Sequence, residues 1–194
     1  VIEEMTYEKL TSSVRNVKEK ISELLSTADT GRIIREGLSV SIVGKPNVGK
    51  SSLMNVLMGE NRAIVTDIPG TTRDIIEESM VIKNIPVVIT DTAGIRDTED
   101  IIEKIGIEKS MTALSRADLI IFVIDASRPL EEEDMRMMSH VAGRRAIVLL
   151  NKSDKGLAAD RALIEKELPS AVIIETSVTG GRGIEELTQV IEDM

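Results

Sequence analysis

The sequence predicts an α/β fold: a six-stranded, mostly parallel sheet with one antiparallel strand, helices on both faces, and an N-terminal amphipathic helix. Three observations predict it. Short runs such as Leu38–Val43, Leu119–Ile124 and Ala146–Leu150 have the near-continuous apolar character of strands covered on both faces. They alternate with helical segments, which implies crossover connections and a parallel sheet. Residues 44–51 read Gly-Lys-Pro-Asn-Val-Gly-Lys-Ser, a G-x-x-x-x-G-K-[ST] phosphate-binding loop placed between a strand and a helix.

Thr6–Ala28 carries Leu10, Val14, Val17, Ile21 and Leu24 at gaps of 4, 3, 4 and 3, a heptad seam on a helix. Asp29-Thr30-Gly31 is expected to stop it, with Arg32–Gly37 as the link onward. Leu38–Val43 is the first strand and Lys50–Met58 the helix that leaves the loop. Ile75–Ile82 and Pro86–Thr90 are β-rich and flank Lys83-Asn84-Ile85, a hairpin that supplies the antiparallel strand. Ile102–Ser115 reads as a helix, followed by the strand Leu119–Ile124 and the helix Glu131–Val141. The strand Ala146–Leu150, the helix Ala158–Leu168, the strand Val172–Glu175 and the helix Ile184–Met194 complete the order.

Bulk properties narrow the function. The chain has 194 residues, enough for one ordinary domain and an appendage. Aromatic content is 1%, so the core must be built of Ile, Val, Leu and Met. A net charge of −9 disfavours a broad nucleic-acid surface, so any RNA role would need a partner or another part of a longer protein. The sequence has no cysteine, which excludes disulfides, thiolate metal sites and thiol catalysis within it. No apolar run reaches membrane-spanning length and no signal peptide is visible, so a cytoplasmic location is expected. The chain opens Val1-Ile2-Glu3-Glu4 without Met and is expected to be an excised fragment.

The phosphate loop explains its own spacing. Gly44 and Gly49 let backbone N–H groups, including those of Asn47, Val48, Gly49, Ser51 and Ser52, curl toward phosphate oxygens. Lys50 reaches the β- and γ-phosphates, Ser51 offers a hydroxyl to Mg²⁺, and the helix aims its positive end at the anion. Four later motifs fall at the carboxyl ends of strands or beside them, where ligands of such sheets sit. In Asp91-Thr92-Ala93-Gly94, Asp91 can support the Mg²⁺ shell and the Gly94 N–H can approach the γ-phosphate. In Asn151-Lys152-Ser153-Asp154, Asp154 can accept from guanine N1–H and the 2-amino group, which adenine lacks. Asn151 can tie that loop to the phosphate loop, and the Lys152 stem can cover a base face. Thr176-Ser177-Val178 can offer backbone N–H to the base O6. In Gly70-Thr71-Thr72-Arg73-Asp74, a threonine hydroxyl, that of Thr72, can complete the Mg²⁺ shell, and Asn61–Pro69 before it is expected to move when γ-phosphate leaves.

Taken in this order, the motifs resemble the translation-factor-related GTPases over Leu38–Met194. The phosphate-loop text is shared with Era-like and Der-like bacterial proteins. Gly31–Gly37 (Gly-Arg-Ile-Ile-Arg-Glu-Gly) and Asp91–Lys109 are similar to the tRNA-modification GTPases of the TrmE-Era-Der-like superfamily. The resemblance implies a Ras-like P-loop GTPase fold, GTP as substrate, and hydrolysis of its β–γ phosphoanhydride. It implies that residues 1–36 are a helical segment of a neighbouring helical domain and residues 37–194 the GTP-binding domain. The family's folate-binding domain and Cys-containing C-terminal motif are not in this sequence, so tRNA modification is not expected from this stretch alone.

Many GTPases orient the attacking water with a glutamine after Asp-x-x-Gly, but here Ile95 stands there and can neither donate nor accept. Arg96, Asp97, Glu99, Asp100 and Glu103 are the nearby alternatives, and the resemblance selects Glu103. No arginine finger is evident, and the role of Arg73 stays open. In place of one, the resemblance implies K⁺ held by Asn47, by the carbonyls of Thr66 and Ile68, and by Thr71. It also implies dimerisation through the switch faces in the transition state, a flavoprotein partner of the MnmG/GidA type, and tRNA engaged only indirectly. Two other readings compete: a ribosome-assembly GTPase of the Era or Der type, and a non-catalytic GTP-gated interaction module. Adenine-specific use is opposed by Asp154, and His140 reads as a surface residue.

Overall fold

The computed structural model describes residues 7–60, 77–91, 114 and 116–194. By contacts the chain divides into a unit ending at Gly37 and a unit of Leu38–Met194.

Helix α1 (Tyr7–Glu36) accounts for the first unit, and its seam residues Leu10, Val14, Val17 and Ile21 are exposed. It corrects the expected stop: the helix runs through Asp29-Thr30-Gly31 and ends at Glu36, just before Gly37. An isolated glycine costs a helix only about 1 kcal/mol, so Gly31 is not a sufficient breaker. Gly37 is one, because its φ of 88° lies in the left-handed region that closes helices. Its N–H still donates to the Ile33 carbonyl at 2.8 Å.

The second unit is built on strands β1 (Leu38–Val43), β2 (Glu77–Ile82), β3 (Ile85–Asp91), β4 (Leu119–Asp125), β5 (Ala146–Asn151) and β6 (Val172–Glu175). Among the described residues they form one six-stranded sheet in the order β2-β3-β1-β4-β5-β6. Only β2 and β3 pair antiparallel. Their hairpin is tighter than expected. Lys83 and Asn84 alone make the turn, both at positive φ, and Ile85 already pairs with Ile82. Two residues of that conformation match the twist of the flanking strands, whereas a three-residue loop needs a bulge.

Helices α2 (Lys50–Glu60), α3 (Glu132–Val141) and α4 (Arg161–Glu167) lie between strands, and α5 (Ile184–Asp193) follows the last one. Helix α4 begins three residues later than expected, because the Asp160 side chain accepts from the Leu163 N–H and caps it there. The expected helix Ile102–Ser115 lies largely outside the described residues.

Burial explains the apolar runs. Phe122, Ile124, Val148 and Leu150 form a cluster with Met138 and Val141 of α3 and with Ile164 and Leu168 near α4. The intervening Ile121, Val123, Ile147 and Leu149 are equally buried, so both faces of β4 and β5 are covered. A parallel centre sends the carboxyl ends of β1, β3, β4, β5 and β6 to one edge. Among the described residues, no helix is long and apolar enough to cross a membrane.

Candidate functional site

The site is assembled on that edge, starting from the turn between β1 and α2. Gly44, Asn47 and Gly49 have φ values of 146°, 62° and 110°. A Cβ on Gly44 would strike the Val123 carbonyl of β4, and one on Gly49 would strike the Asn151 amide. The two glycines of the motif are thus required by close approach as well as by backbone conformation. Val48 is buried, while Ser51 and Ser52 are exposed on the first turn of α2. Lys50 Nζ donates to the carbonyls of Gly44 at 2.7 Å and Lys45 at 2.6 Å, so its ammonium lies across the mouth of its own loop.

Asn151 at the end of β5 joins three segments. Its Nδ2 donates to the Val48 carbonyl at 2.8 Å. Its Oδ1 accepts from the Val178 N–H at 3.1 Å and from the Thr176 hydroxyl at 3.4 Å. Lys152, at a positive φ of 61°, turns its ammonium onto the Asn47 carbonyl and the Asp125 carboxylate, each at 2.7 Å. Asp154 is exposed in a short 3-10 turn, Ser153–Lys155, and the hydroxyl of Ser177 holds its carboxyl below the ordinary range. An ionised Asp154 can accept two hydrogen bonds from a base edge.

The β6 segment behaves differently from the expectation. The backbone N–H groups of Thr176, Ser177 and Val178 are engaged by Leu150 O, Arg182 O and Asn151 Oδ1. A contact from them to a base O6 would have to replace one of these bonds. What the segment does here is orient Asn151 and Asp154.

Asp91 ends β3, and the parallel register sets it beside Ile42, two residues before Gly44. A carboxylate at that point and the Ser51 hydroxyl at the head of α2 are hard oxygen donors of the kind Mg²⁺ takes along with phosphate oxygens. Thr66, Ile68, Thr71, Thr72, Arg73, Gly94, Ile95 and Glu103 lie outside the described residues. His140 is exposed on α3.

Two features were missed by the sequence reading. Asp125, only 11% exposed at its side chain, accepts from Lys152 and from both the N–H and the hydroxyl of Ser127. Burial works to raise its pKa, but the bonds from Lys152 and Ser127 outweigh burial and lower it. Its position at a strand end was the available signal. The second is Lys45, whose ammonium meets Glu131 and Asp134 at the head of α3. A cavity of about 230 Å³ lies here, lined by Lys45, Asn47, Asp125, Glu131, Asp134 and Lys152 among others. It borders the outer arm of the phosphate loop and does not include Asp154.

Comparison with known proteins agrees with this geometry. The family described as "50S ribosome-binding GTPase" matches residues 39–152. The tRNA modification GTPase MnmE of Clostridioides difficile (strain 630) is 53% identical over 193 residues, all of this chain and 42% of that protein. That of Alkaliphilus oremlandii (strain OhILAs) is 51% identical over the same span. The chain therefore spans less than half the length of the curated relatives it matches. Among solved structures, Aquifex aeolicus Era Y63A bound to GDP·AlF4⁻ has a TM-score of 0.57 and is 30% identical, covering 79% of this chain and 55% of that one. A matched span that runs from the strand before the phosphate loop through Asn151 and Lys152 places the chain in this family of GTPases.

Proposed function

We propose that the chain is the GTP-hydrolysing domain of a tRNA-modification enzyme and that its turnover is stimulated by K⁺. Identity above 50% along the whole chain to two MnmE proteins supports the tRNA-modification reading. Era, the reading's competitor, is 30% identical over 79% of the chain. The observation that carries guanine-nucleotide use is the junction at Asn151, which locks the Asp154 turn to the phosphate loop.

Lys50 and Ser51 bind the phosphates and Mg²⁺, with Asp91 and Thr72 supporting the metal, and Gly94 offers its N–H to the γ-phosphate. When bound there, Mg²⁺ would supply charge neutralisation for the phosphates. Asp154 reads the base. Glu103 orients the attacking water in place of the residue that Ile95 cannot be.

Asn47 is exposed at a φ of 62°, and the neutral oxygen of its side-chain amide suits a weakly hydrated monovalent cation. Thr66, Ile68 and Thr71 are the further ligands in this reading. K⁺ there would offset charge developing on the phosphates as a guanidinium does elsewhere. Two chains would pair through their switch faces when GDP and aluminium fluoride mimic the transition state. Within a longer protein, the helical segment 1–36 belongs to a neighbouring domain, residues 37–194 to the GTPase domain, a flavoprotein partner supplies redox chemistry, and tRNA is reached indirectly. In this reading the protein works in the cytoplasm.

The test is GTP turnover and sedimentation in K⁺ and in Na⁺, with GDP and aluminium fluoride present for the second measurement. Turnover should rise by about tenfold or more in K⁺, with dimers formed only there, and Asn47→Lys should remove the dependence. Equal rates and equal sedimentation in both salts would reject K⁺ and dimerisation while leaving the GTPase itself intact.

A further inference from the structure

In the phosphate-loop motif, position 45 is unconstrained, yet Lys45 is among the most tightly engaged lysines of the structure. Its Nζ lies 2.7 Å from Asp134 Oδ2 and 2.8 Å from Glu131 Oε2. Asp134 is 2% exposed, and the same Oδ2 accepts the Glu131 N–H at 2.9 Å, which closes the first turn of α3. The other oxygen, Oδ1, has no hydrogen-bond partner among the described residues. Lys45 is therefore the cation that balances this buried carboxylate, and losing it would leave the charge uncompensated. Partial burial works to lower the Lys45 pKa, while its bonds to Asp134 and Glu131 outweigh burial and raise it, so the ammonium stays charged.

The arm Lys45–Asn47 has three anchors. The Lys45 side chain is pinned to α3, the Lys45 carbonyl accepts from Lys50, and the Asn47 carbonyl accepts from Lys152. Lys152 is itself held by Asp125 at the end of β4. Lys50 is the group that phosphate draws toward itself, so its hold on the arm competes with nucleotide. Lys45 and Lys152 do not face that competition. Both tie the arm to one connection, residues 125–134, between β4 and α3.

We propose that Lys45 is a positioning residue: its bridge to Asp134 and Glu131 fixes the Pro46–Asn47 arm of the phosphate loop against α3. The bridge sets where the Asn47 N–H and side chain stand relative to bound phosphate. Because the ammonium is neutralised by two carboxylates, it acts through the loop and leaves direct phosphate contact to Lys50. A misplacement of this arm should be felt more in the transition state than in GDP binding, which relies on the half of the loop from Gly49 to Ser51.

The experiment compares Lys45→Met, Lys45→Arg and the double variant Lys45→Met/Asp134→Leu in the whole chain. The readouts are GTP turnover, GDP affinity, thermal unfolding and amide exchange of residues 44–49 with GDP bound. Lys45→Met should lower kcat by about tenfold with GDP affinity changed less than about threefold, and should speed exchange in the arm. Lys45→Arg should restore most of both. The double variant removes the buried charge together with its partner, so it should regain stability without regaining kcat or protection of the arm. Recovery of kcat along with stability would make the bridge merely structural and overturn the proposal. Unchanged exchange in the arm of Lys45→Met would also overturn it, and that readout does not depend on turnover.

Discussion

Asn151 fills the space that a Cβ on Gly49 would need, and from there donates to the Val48 carbonyl at 2.8 Å. The phosphate loop and the loop that follows β5 are therefore fitted to one another as well as bonded. Gly49→Ala meets two penalties, the collision and a φ of 110° that alanine rarely adopts. It should lower GTP affinity by on the order of a hundredfold, read by nucleotide titration. Asn151→Ala opens the space but strands the Val178 N–H and the Val48 carbonyl, both in buried residues. It should cost about 1–3 kcal/mol of stability in urea unfolding. The double variant relieves the collision, so its affinity loss should be smaller than the two single losses combined. Strict additivity would show that the two residues do not share this space.

The Asp125–Lys152 pair predicts a pH dependence. Its carboxyl is held below the ordinary range in the folded chain by Lys152 and Ser127, against the opposing effect of burial. The folded value lies below the unfolded one, so the stabilisation is fully present above the unfolded value. It is lost as pH falls through the folded value. Asp125→Asn should therefore be less stable than the parent near neutral pH, by about 1–2 kcal/mol. The difference should shrink as the medium is acidified through the carboxylate range. Urea midpoints for both chains across that range check it, and a gap that stays constant would remove Asp125 as its source.

Why some of this was readable beforehand, and some not, follows from the physics of each position. The apolar strands announce themselves because both faces of β4 and β5 must be covered. Gly44, Gly49, Lys50, Asn151 and Asp154 fall in spaced motifs whose residue types are tied to phosphate and guanine chemistry. Lys45 and Asp134 are 89 positions apart in the sequence, and a lysine next to a glycine has no preferred partner until the fold brings α3 to it. Asp125 was similarly opaque, because an aspartate after an apolar strand is as often a turn residue. The end of α1 was misplaced for a local reason. Gly31 and Gly37 look alike in sequence, and only Gly37 takes the left-handed conformation. Position at a strand end suggests that the segment 176–178 can offer N–H groups to a base, and only the fold shows that these N–H groups already bond to Leu150 O, Arg182 O and Asn151 Oδ1.

Asp154 offers the sharpest chemical test of the base reading. It stands exposed in its turn, and the Ser177 hydroxyl donates to it and keeps it ionised. As an acceptor-only group it matches the two donors of the guanine edge, N1–H and the 2-amino group. Asp154→Asn replaces one acceptor oxygen with a donor, so a guanine donor would face a donor. GTP affinity should fall by at least about a hundredfold. Xanthosine triphosphate presents a carbonyl where guanine has the amino group, so the asparagine amide should bind it better than the parent carboxylate does. Competition of the two nucleotides against a fluorescent guanine analogue, on parent and variant, separates the cases. If both lose affinity equally in the variant, Asp154 supports the turn and does not read the base. Ser177→Ala adds a second handle, because without the hydroxyl the Asp154 carboxyl should protonate at higher pH. Loss of GTP binding on acidification should then begin earlier in that variant than in the parent.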